Sequence, residues 1–437
     1  MKRPPSETRV PSGRLSRLTR FGAMTTGILG AAAAEGTRQF ARGERPEWRG
    51  LLLTPANATR LTAQLSQMRG AAMKMGQLLS MEAGEFLAPE LSDILARLRD
   101  DGHVMPGGQL KQLLAANWGA DFLKRFEKFD VRPIAAASIG QVHRAQTKDG
   151  RDLAIKVQYP GVRRAIDSDL ANVAALLRMS GLVPRGLDLG PFLDEARTQL
   201  HEEADYRREG RYLSAFYDLL ADQSHFAVPR LHDDLTTTDI LAMDYLPGDP
   251  IEDLAEADQA SRDRAVIRLL ELVLQELFDF RLMQTDPNFA NYRVQRDTGR
   301  IVLLDFGATR EIAPETAAQF RRLLHAALGR DRETLRTAAR DIGYISETTA
   351  PHHEALLLEM MEMAFAPLNV PGMFDFGTAT LVRDLQEKGA AFAADRSFAD
   401  VPPPETLFLH RKIGGLYLLA ARLRARVDMP RLLAPYL

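Results

Sequence analysis

Asp286, Asn291 and Asp305 are the residues whose types and spacing could do chemistry. Asp286 opens the run Asp286-Pro287-Asn288-Phe289-Ala290-Asn291. Asp305 opens Asp305-Phe306-Gly307, directly after the apolar stretch Ile301-Val302-Leu303-Leu304. A carboxylate and a side-chain amide oxygen are the donors a hard cation such as Mg²⁺ prefers. A second carboxylate nearby could accept a hydroxyl proton or orient a water molecule. Asn291 and Asp305 are therefore read as metal ligands, and Asp286 as the catalytic base or water orienter. The apolar stretch predicts a buried strand that delivers Asp305 into a turn at Gly307.

A D-x-x-x-x-N run ahead of D-F-G is the spacing of a kinase catalytic loop and its metal-binding aspartate. Leu153-Ala154-Ile155-Lys156-Val157 matches the strand whose lysine holds nucleotide phosphates. Before it runs Ala135-Ala136-Ala137-Ser138-Ile139-Gly140, where a kinase carries G-x-G-x-x-G, and only Gly140 is glycine. Alanine largely forbids the positive φ that glycine permits, so this loop should cover phosphates less freely. Ala135, Ala136, Ala137, Ser138 and Lys156 are read as the phosphate side of an ATP or ADP site. Pro247-Gly248 marks a hinge after the strand at Ile240–Met243, with Met243, Asp244 and Tyr245 placed to meet adenine. Only residues 308–313 separate Gly307 from Pro314, which reads as a first-turn helix proline. That leaves almost no activation segment to seat a peptide. Position 284 is Gln where a protein kinase has His. Both features favour an ATPase or a small-molecule kinase over a protein kinase.

The chain resembles the ABC1/UbiB/COQ8 family of atypical protein-kinase-like proteins, also called ADCK in animals. The resemblance spans about residue 50 to the end. It is carried by Lys74-Met75-Gly76-Gln77 (the family's K-x-G-Q), Ala135-Ala136-Ala137-Ser138, and Glu203-Ala204-Asp205 (its E-x-D). Gln284 through Asn291, Asp305-Phe306-Gly307, and His410-Arg411-Lys412 with Gly414 complete it. The resemblance implies an α+β, bilobal protein-kinase-like fold with an N-terminal helical extension capping the active-site cleft. It implies bound ATP or ADP with Mg²⁺, and ATPase activity supporting ubiquinone (coenzyme Q) biosynthesis. Two other readings stay open: a nucleotide-gated regulator that binds a lipid or protein, and a small-molecule kinase of the aminoglycoside or choline type.

Four blocks would position these residues: 1–50, a basic arm and apolar membrane-facing segment; 51–130, the helical extension; 131–245, the N-lobe; and 246–437, the helical C-lobe. In the extension, Leu61, Leu65, Met68, Ala72, Met75 and Leu79 alternate by four and three, the stripe of an amphipathic helix. Lys74 and Gln77 share a different face, and Gly76 between them would admit another backbone closely. These two are a solvated surface pair on their residue types alone; the resemblance places them over the cleft as regulatory residues. Glu203 and Asp205 are expected on one helix between about residues 189 and 215, pointing to nearly opposite sides. Glu203 is the candidate partner of Lys156, as the αC glutamate is in kinases, and Asp205 the candidate partner of Lys74.

A formal charge of −2 gives no global electrostatic case for nucleic acid, and the absence of cysteine excludes disulfides and thiolate metal sites. Charge is nonetheless uneven. Residues 1–20 carry six basic residues against one acidic residue, a net +5, and the apolar run Phe21 to Ala34 follows. That run is shorter than the ~20 residues of a spanning helix. It fits either a helix lying on an anionic membrane surface or a tail with a docked helix. Expected partners are ATP, a phenolic or prenyl lipid, a membrane surface, enzymes of ubiquinone biosynthesis and a second copy of the chain. The expected place is the cytoplasmic side of a bacterial inner membrane, with a mitochondrion as the alternative. If the arm is the anchor, the full chain should float with anionic liposomes, and a chain starting at Arg49 should not. The difference should shrink with added salt; equal flotation of both would remove the arm from the account.

Overall fold

The computed structural model describes residues 65, 68, 70–72, 74–76, 104–180, 189–394 and 404–437. The basic arm, the apolar segment, Leu61, Gln77 and Leu79 lie outside the described residues. The chain divides into two units. The first runs up to Arg211 and takes in Arg230–Tyr245; the second holds Tyr212–Pro229 and Leu246–Leu437.

In the first unit, helix α1 (Gly107–Trp118) precedes strands β1 (Phe126–Phe129), β2 (Ala135–Ala136), β3 (Gly140–Thr147) and β4 (Asp152–Gln158). Helices α2 (Val162–Ser180), α3 (Gly190–Glu203) and α4 (Tyr206–Leu219) follow, α4 passing into the second unit after Arg211. Strand β5 (Phe226–Ala227) belongs to the second unit, and β6 (Ile240–Asp244) closes the first sheet. The strand order is β1-β3-β4-β6, with β2 on β3 and every pair antiparallel. Strand β4 is buried on both faces, and its period of two separates two jobs. Leu153, Ile155 and Val157 enter a core with Trp118, Phe122, Phe126 and Ile240. Ala154, Lys156 and Gln158 face the other way.

Four of the six residues of the predicted stripe are described, and they form a buried face. Leu65, Met68, Ala72 and Met75 are buried in one core with Ile139, Leu170 and Val173 of α2, and Ala196 and Leu200 of α3. Lys74 is also buried, so it is not a solvated surface residue. The single helix expected across residues 189–215 is broken. Helix α3 ends at Glu203, and Asp205 Oδ1 accepts the N–H groups of Arg207 (3.0 Å) and Arg208 (3.2 Å). A short acidic side chain at a helix start satisfies donors that the first turn otherwise leaves bare. Asp205 therefore starts a second helix instead of facing out of one continuous helix.

In the second unit, β5, β7 (Asp249–Pro250), β9 (Tyr292–Val294) and β10 (Ile301–Leu303) make a sheet of order β5-β10-β9-β7. Helix α5 (Gln259–Gln275) leads through a π turn (Glu276–Phe280) and Arg281, at φ 52, into β8 (Leu282–Gln284). Strand β11 (Thr309–Glu311) pairs antiparallel with β8, and α6 (Pro314–Gly329) starts with proline at its first position, as expected. Helices α7 (Arg332–Ile342), α8 (Pro351–Phe365), α9 (Leu381–Ala394) and α10 (Pro404–Arg422) follow.

Strand β3 carries a buried histidine with a fixed tautomer. His143 Nδ1 donates to the Asp130 carbonyl (2.8 Å), so Nε2 is left to accept from the Gln141 amide (2.8 Å). Gln141 Oε1 in turn accepts the Met105 N–H at 2.9 Å, which fixes the amide orientation. Burial pushes the His143 pKa below its ordinary 6.5, against the opposing pull of Asp130. A folded-state pKa below the unfolded one gives stability that is present above about pH 6.5 and lost as pH falls through the folded value. Urea unfolding free energy should therefore drop on acidification from pH 7.5 to 5, and His143→Leu should flatten that slope. An unchanged slope in the variant would locate the pH dependence elsewhere.

Candidate functional site

Lys156 reaches the site because β4 needs its odd-numbered residues for the core. Its Nζ donates to both carboxylate oxygens of Glu209, at 2.8 and 2.9 Å, and lies 5.1 Å from the Tyr206 ring centre. Glu209, not Glu203, is the acid paired with this lysine. The break at Asp205 explains the correction, because it turns α4 so that Tyr206, Glu209, Leu213 and Phe216 form one buried stripe. An acid inside an apolar stripe must be paired, and that was the available signal for Glu209 in the sequence.

Glu203 has a different partner. It forms an ion pair with Lys74 and accepts a hydrogen bond from Ser138 Oγ (3.2 Å). Asp205, expected opposite Lys74, caps α4 instead. Glu203 thus ties the extension to the last residue of the alanine-rich loop. Within that loop, β2 pairs Ala135 with Val142 and Ala136 with Gln141, and Ala137 N–H bonds the Gly140 carbonyl at 2.8 Å. A Cβ on Gly140 would collide with the Val157 carbonyl, so the only glycine of the loop permits close packing of β3 on β4. Gln158 Nε2 holds the Ala204 carbonyl at 2.7 Å, fixing the α3–α4 break from the same face of β4 as Lys156.

Met243 is buried in β6 opposite Ala154. The Tyr245 N–H donates to the Asp152 carbonyl at 2.9 Å, and its ring lies under Arg144. A bound base would have to meet groups other than that N–H.

The second unit carries the acidic residues. The β9–β10 hairpin pairs Tyr292 with Leu303, and Leu304 N–H bonds the Asn291 carbonyl at 3.1 Å. The two strands thereby bring the ends of the Asp286 and Asp305 segments side by side. Asn291 Nδ2 donates to Asp286 Oδ2 (3.0 Å), and Asn288 N–H donates to Asp286 Oδ1 (3.3 Å). Gly307 N–H donates to Asp305 Oδ1 at 2.9 Å. Phe306 is buried against Phe216, ring centres 4.9 Å apart.

This arrangement fits a hard divalent cation. With its nitrogen committed to Asp286, the Asn291 amide offers its oxygen, and Asp305 supplies a carboxylate. Among the described residues no group of three or more His, Cys, Asp and Glu could hold a metal. The remaining ligands would come from phosphate and water, as Mg²⁺ commonly arranges.

Sequence reasoning missed a buried charged cluster beside this loop. Lys412 Nζ donates to Gln284 Oε1 (3.2 Å) and the Tyr292 hydroxyl (3.0 Å), and lies 3.4 Å from Glu276 Oε2. Burial works against the Lys412 charge, but Glu276 and Tyr292 outweigh it and raise the pKa. Burial raises the Glu276 carboxyl and the Tyr292 phenol, against the opposing pull of the Lys412 charge on both.

Residues 97–339 match the family profile described as ABC1 atypical kinase-like domain. The chain belongs to this family. It is 38% identical over 427 residues to "Atypical kinase COQ8, mitochondrial" of Saccharomyces cerevisiae, covering 97% of this chain and 84% of that one. It is 36% identical to "Atypical kinase COQ8B, mitochondrial" of Rattus norvegicus, covering 96% and 80%. The solved complex of Rv3197 with erythromycin from Mycobacterium tuberculosis aligns with a TM-score of 0.61 at 26% identity, covering 87% of this chain and 96% of that one. The fold is protein-kinase-like, and that fold implies nucleotide binding. No described helix is long and apolar enough to cross a membrane.

The acids near the α3–α4 break should differ sharply in cost. Glu209→Ala leaves a buried ammonium without its counter-charge and should destabilise by about 3–5 kcal/mol. Asp205→Ala removes a cap, worth about 1 kcal/mol. Chemical denaturation ranks them; equal losses would contradict the pairing.

Proposed function

We propose that the protein is a Mg²⁺-dependent, ATP-binding atypical kinase or ATPase that supports ubiquinone biosynthesis at a membrane. The observation that carries the nucleotide reading is the two-pronged bond between Lys156 and Glu209. In kinases that pair must be in place for the lysine to hold phosphates. Asp305 and Asn291 would hold the metal, which would supply charge neutralisation at the phosphoryl group. Asp286, fixed by Asn288 and Asn291, orients the attacking hydroxyl or water. Ala135, Ala136, Ala137 and Ser138 cover the phosphates, and the β6 end with Met243 and Tyr245 flanks the base.

Strand β11 supports an ATPase or a small acceptor over a protein substrate. Residues Thr309–Glu311 return to β8, and the chain then enters α6, leaving no segment to seat a peptide. The quinone role and the membrane rest on the COQ8 relatives and on the basic arm. A second reading, a nucleotide-gated regulator, is favoured by the Lys74–Glu203–Ser138 link, which couples the extension to the loop over the phosphates.

MgATP at 100 times its Kd should raise wild-type stability by about 2.7 kcal/mol. Asp305→Asn should lose most of that stabilisation, because an amide is a neutral ligand. Asp286→Asn should keep the stabilisation and lose turnover. Quinone content of a deletion strain, restored by wild type but by neither variant, would support the enzyme; rescue by Asp286→Asn would favour the regulator. Full MgATP stabilisation of Asp305→Asn would sink the metal assignment.

A further inference from the structure

The loop from Gln284 to Asn291 carries two site residues on an almost irregular backbone, with one short turn at Phe289–Asn291. Its own hydrogen bonds join Asp286 to Asn288 and Asn291, and its ends are held by Thr285 on the Ala308 carbonyl (2.7 and 3.2 Å) and by Leu304 N–H on the Asn291 carbonyl. Helix α10 adds three further points. Lys412, 2% exposed, bonds Gln284, two residues before Asp286, and Tyr292, directly after Asn291. Glu276, 1% exposed, completes the set: its carboxylate faces Lys412 and also accepts the Gln284 N–H at 3.3 Å. The ammonium thus donates to two acceptors on either side of the loop and faces the Glu276 carboxylate as an ion pair.

The third point lies three residues further along the helix, on the same face. A Cβ on Gly415 would overlap the ring of Pro287, the residue after Asp286. A Cβ on the adjacent Gly414 would meet nothing within 4 Å. Each glycine inside a helix costs about 1 kcal/mol relative to alanine. At Gly415 the missing side chain lets the helix lie flush on the loop; at Gly414 it does not serve that purpose. A buried ion pair is also a poor source of stability compared with apolar packing. What Lys412 supplies is direction, because its two hydrogen bonds reach the entry and exit strands while its charge faces the π turn.

We propose that α10 is the template of the catalytic loop: Lys412 and Gly415 are positioning residues that set Asp286 and Asn291 by holding Gln284, Tyr292 and Pro287. The inference rests on reading this loop as a phosphoryl-transfer site.

The glycine pair gives the sharpest test. Gly415→Ala should lower kcat for MgATP hydrolysis by about 100-fold, the scale of a 1 Å misplacement, with ATP affinity within a few-fold of wild type. Gly414→Ala should keep kcat and gain thermal stability. Lys412→Met should lower kcat likewise, with KM little changed. Lys412→Met combined with Gln284→Ala should be no slower than Lys412→Met alone, because the lysine acts through the glutamine. Should Lys412→Met fail to fold, Glu276→Gln with Lys412→Met removes the stranded carboxylate and carries the same comparison. Wild-type kcat in Gly415→Ala, equal losses in both glycine variants, or multiplied losses in the Lys412/Gln284 pair would overturn the proposal. A wild-type protein that neither binds nor hydrolyses MgATP overturns the nucleotide reading itself, and that failure is visible before any substitution is made.

Discussion

A lysine side chain 10% exposed against a glutamate side chain 1% exposed can persist only if each keeps the other charged and bonded. Lys156 and Glu209 meet that condition with two bonds, and much of the first unit is arranged so that they can. Strand β4 must be buried on both faces, so that one face feeds the core while the other presents Lys156. The helix carrying Glu209 must start afresh after Glu203, or its acid would point elsewhere. Gln158, two residues from Lys156 on the same face, holds the Ala204 carbonyl where that restart occurs. The strand that displays the lysine therefore also fixes the helix break that aims its partner.

The same break sorts three neighbouring acids into three roles. Glu203, last in α3, takes Lys74 and Ser138. Asp205 closes the first turn of α4. Glu209 lies one turn further, in the buried stripe. A shift of the break by a single residue would rotate α4 by about 100° and remove Glu209 from Lys156. The extension and the alanine-rich loop are tied to this same junction through Glu203, so restraint of the loop and alignment of the lysine have a common origin.

Most of the elements that carry the candidate site were legible because strands and tight turns announce themselves locally. The apolar run before Asp305, the lysine strand, the helix start at Pro314 and the stripe from Leu65 to Met75 all formed as their periods required. The partnerships were less legible. Reading residues 189–215 as one helix assigned Glu203 to Lys156 and Asp205 to Lys74, because helix-interior and cap positions look alike when a charged run hides the boundary. Asp205 followed by an apolar stripe containing Glu209 was the overlooked cue. Lys412 and Glu276 lie 136 positions apart, and no local pattern pairs them. Of the glycine pair in α10, the sequence drew attention to Gly414, whereas Gly415 is the one against Pro287.

The shortness of the path from Gly307 to α6 reaches beyond substrate choice. Many kinases are switched by adding phosphate to a long segment at this place, whose new charges then order it. Here the hydroxyl-bearing residue of the path, Thr309, is fully buried and sits in a strand paired with β8. A modifying enzyme could not reach it without unpicking the sheet. Switching by phosphate at this place is therefore closed, and the rigid return of β11 is what closes it.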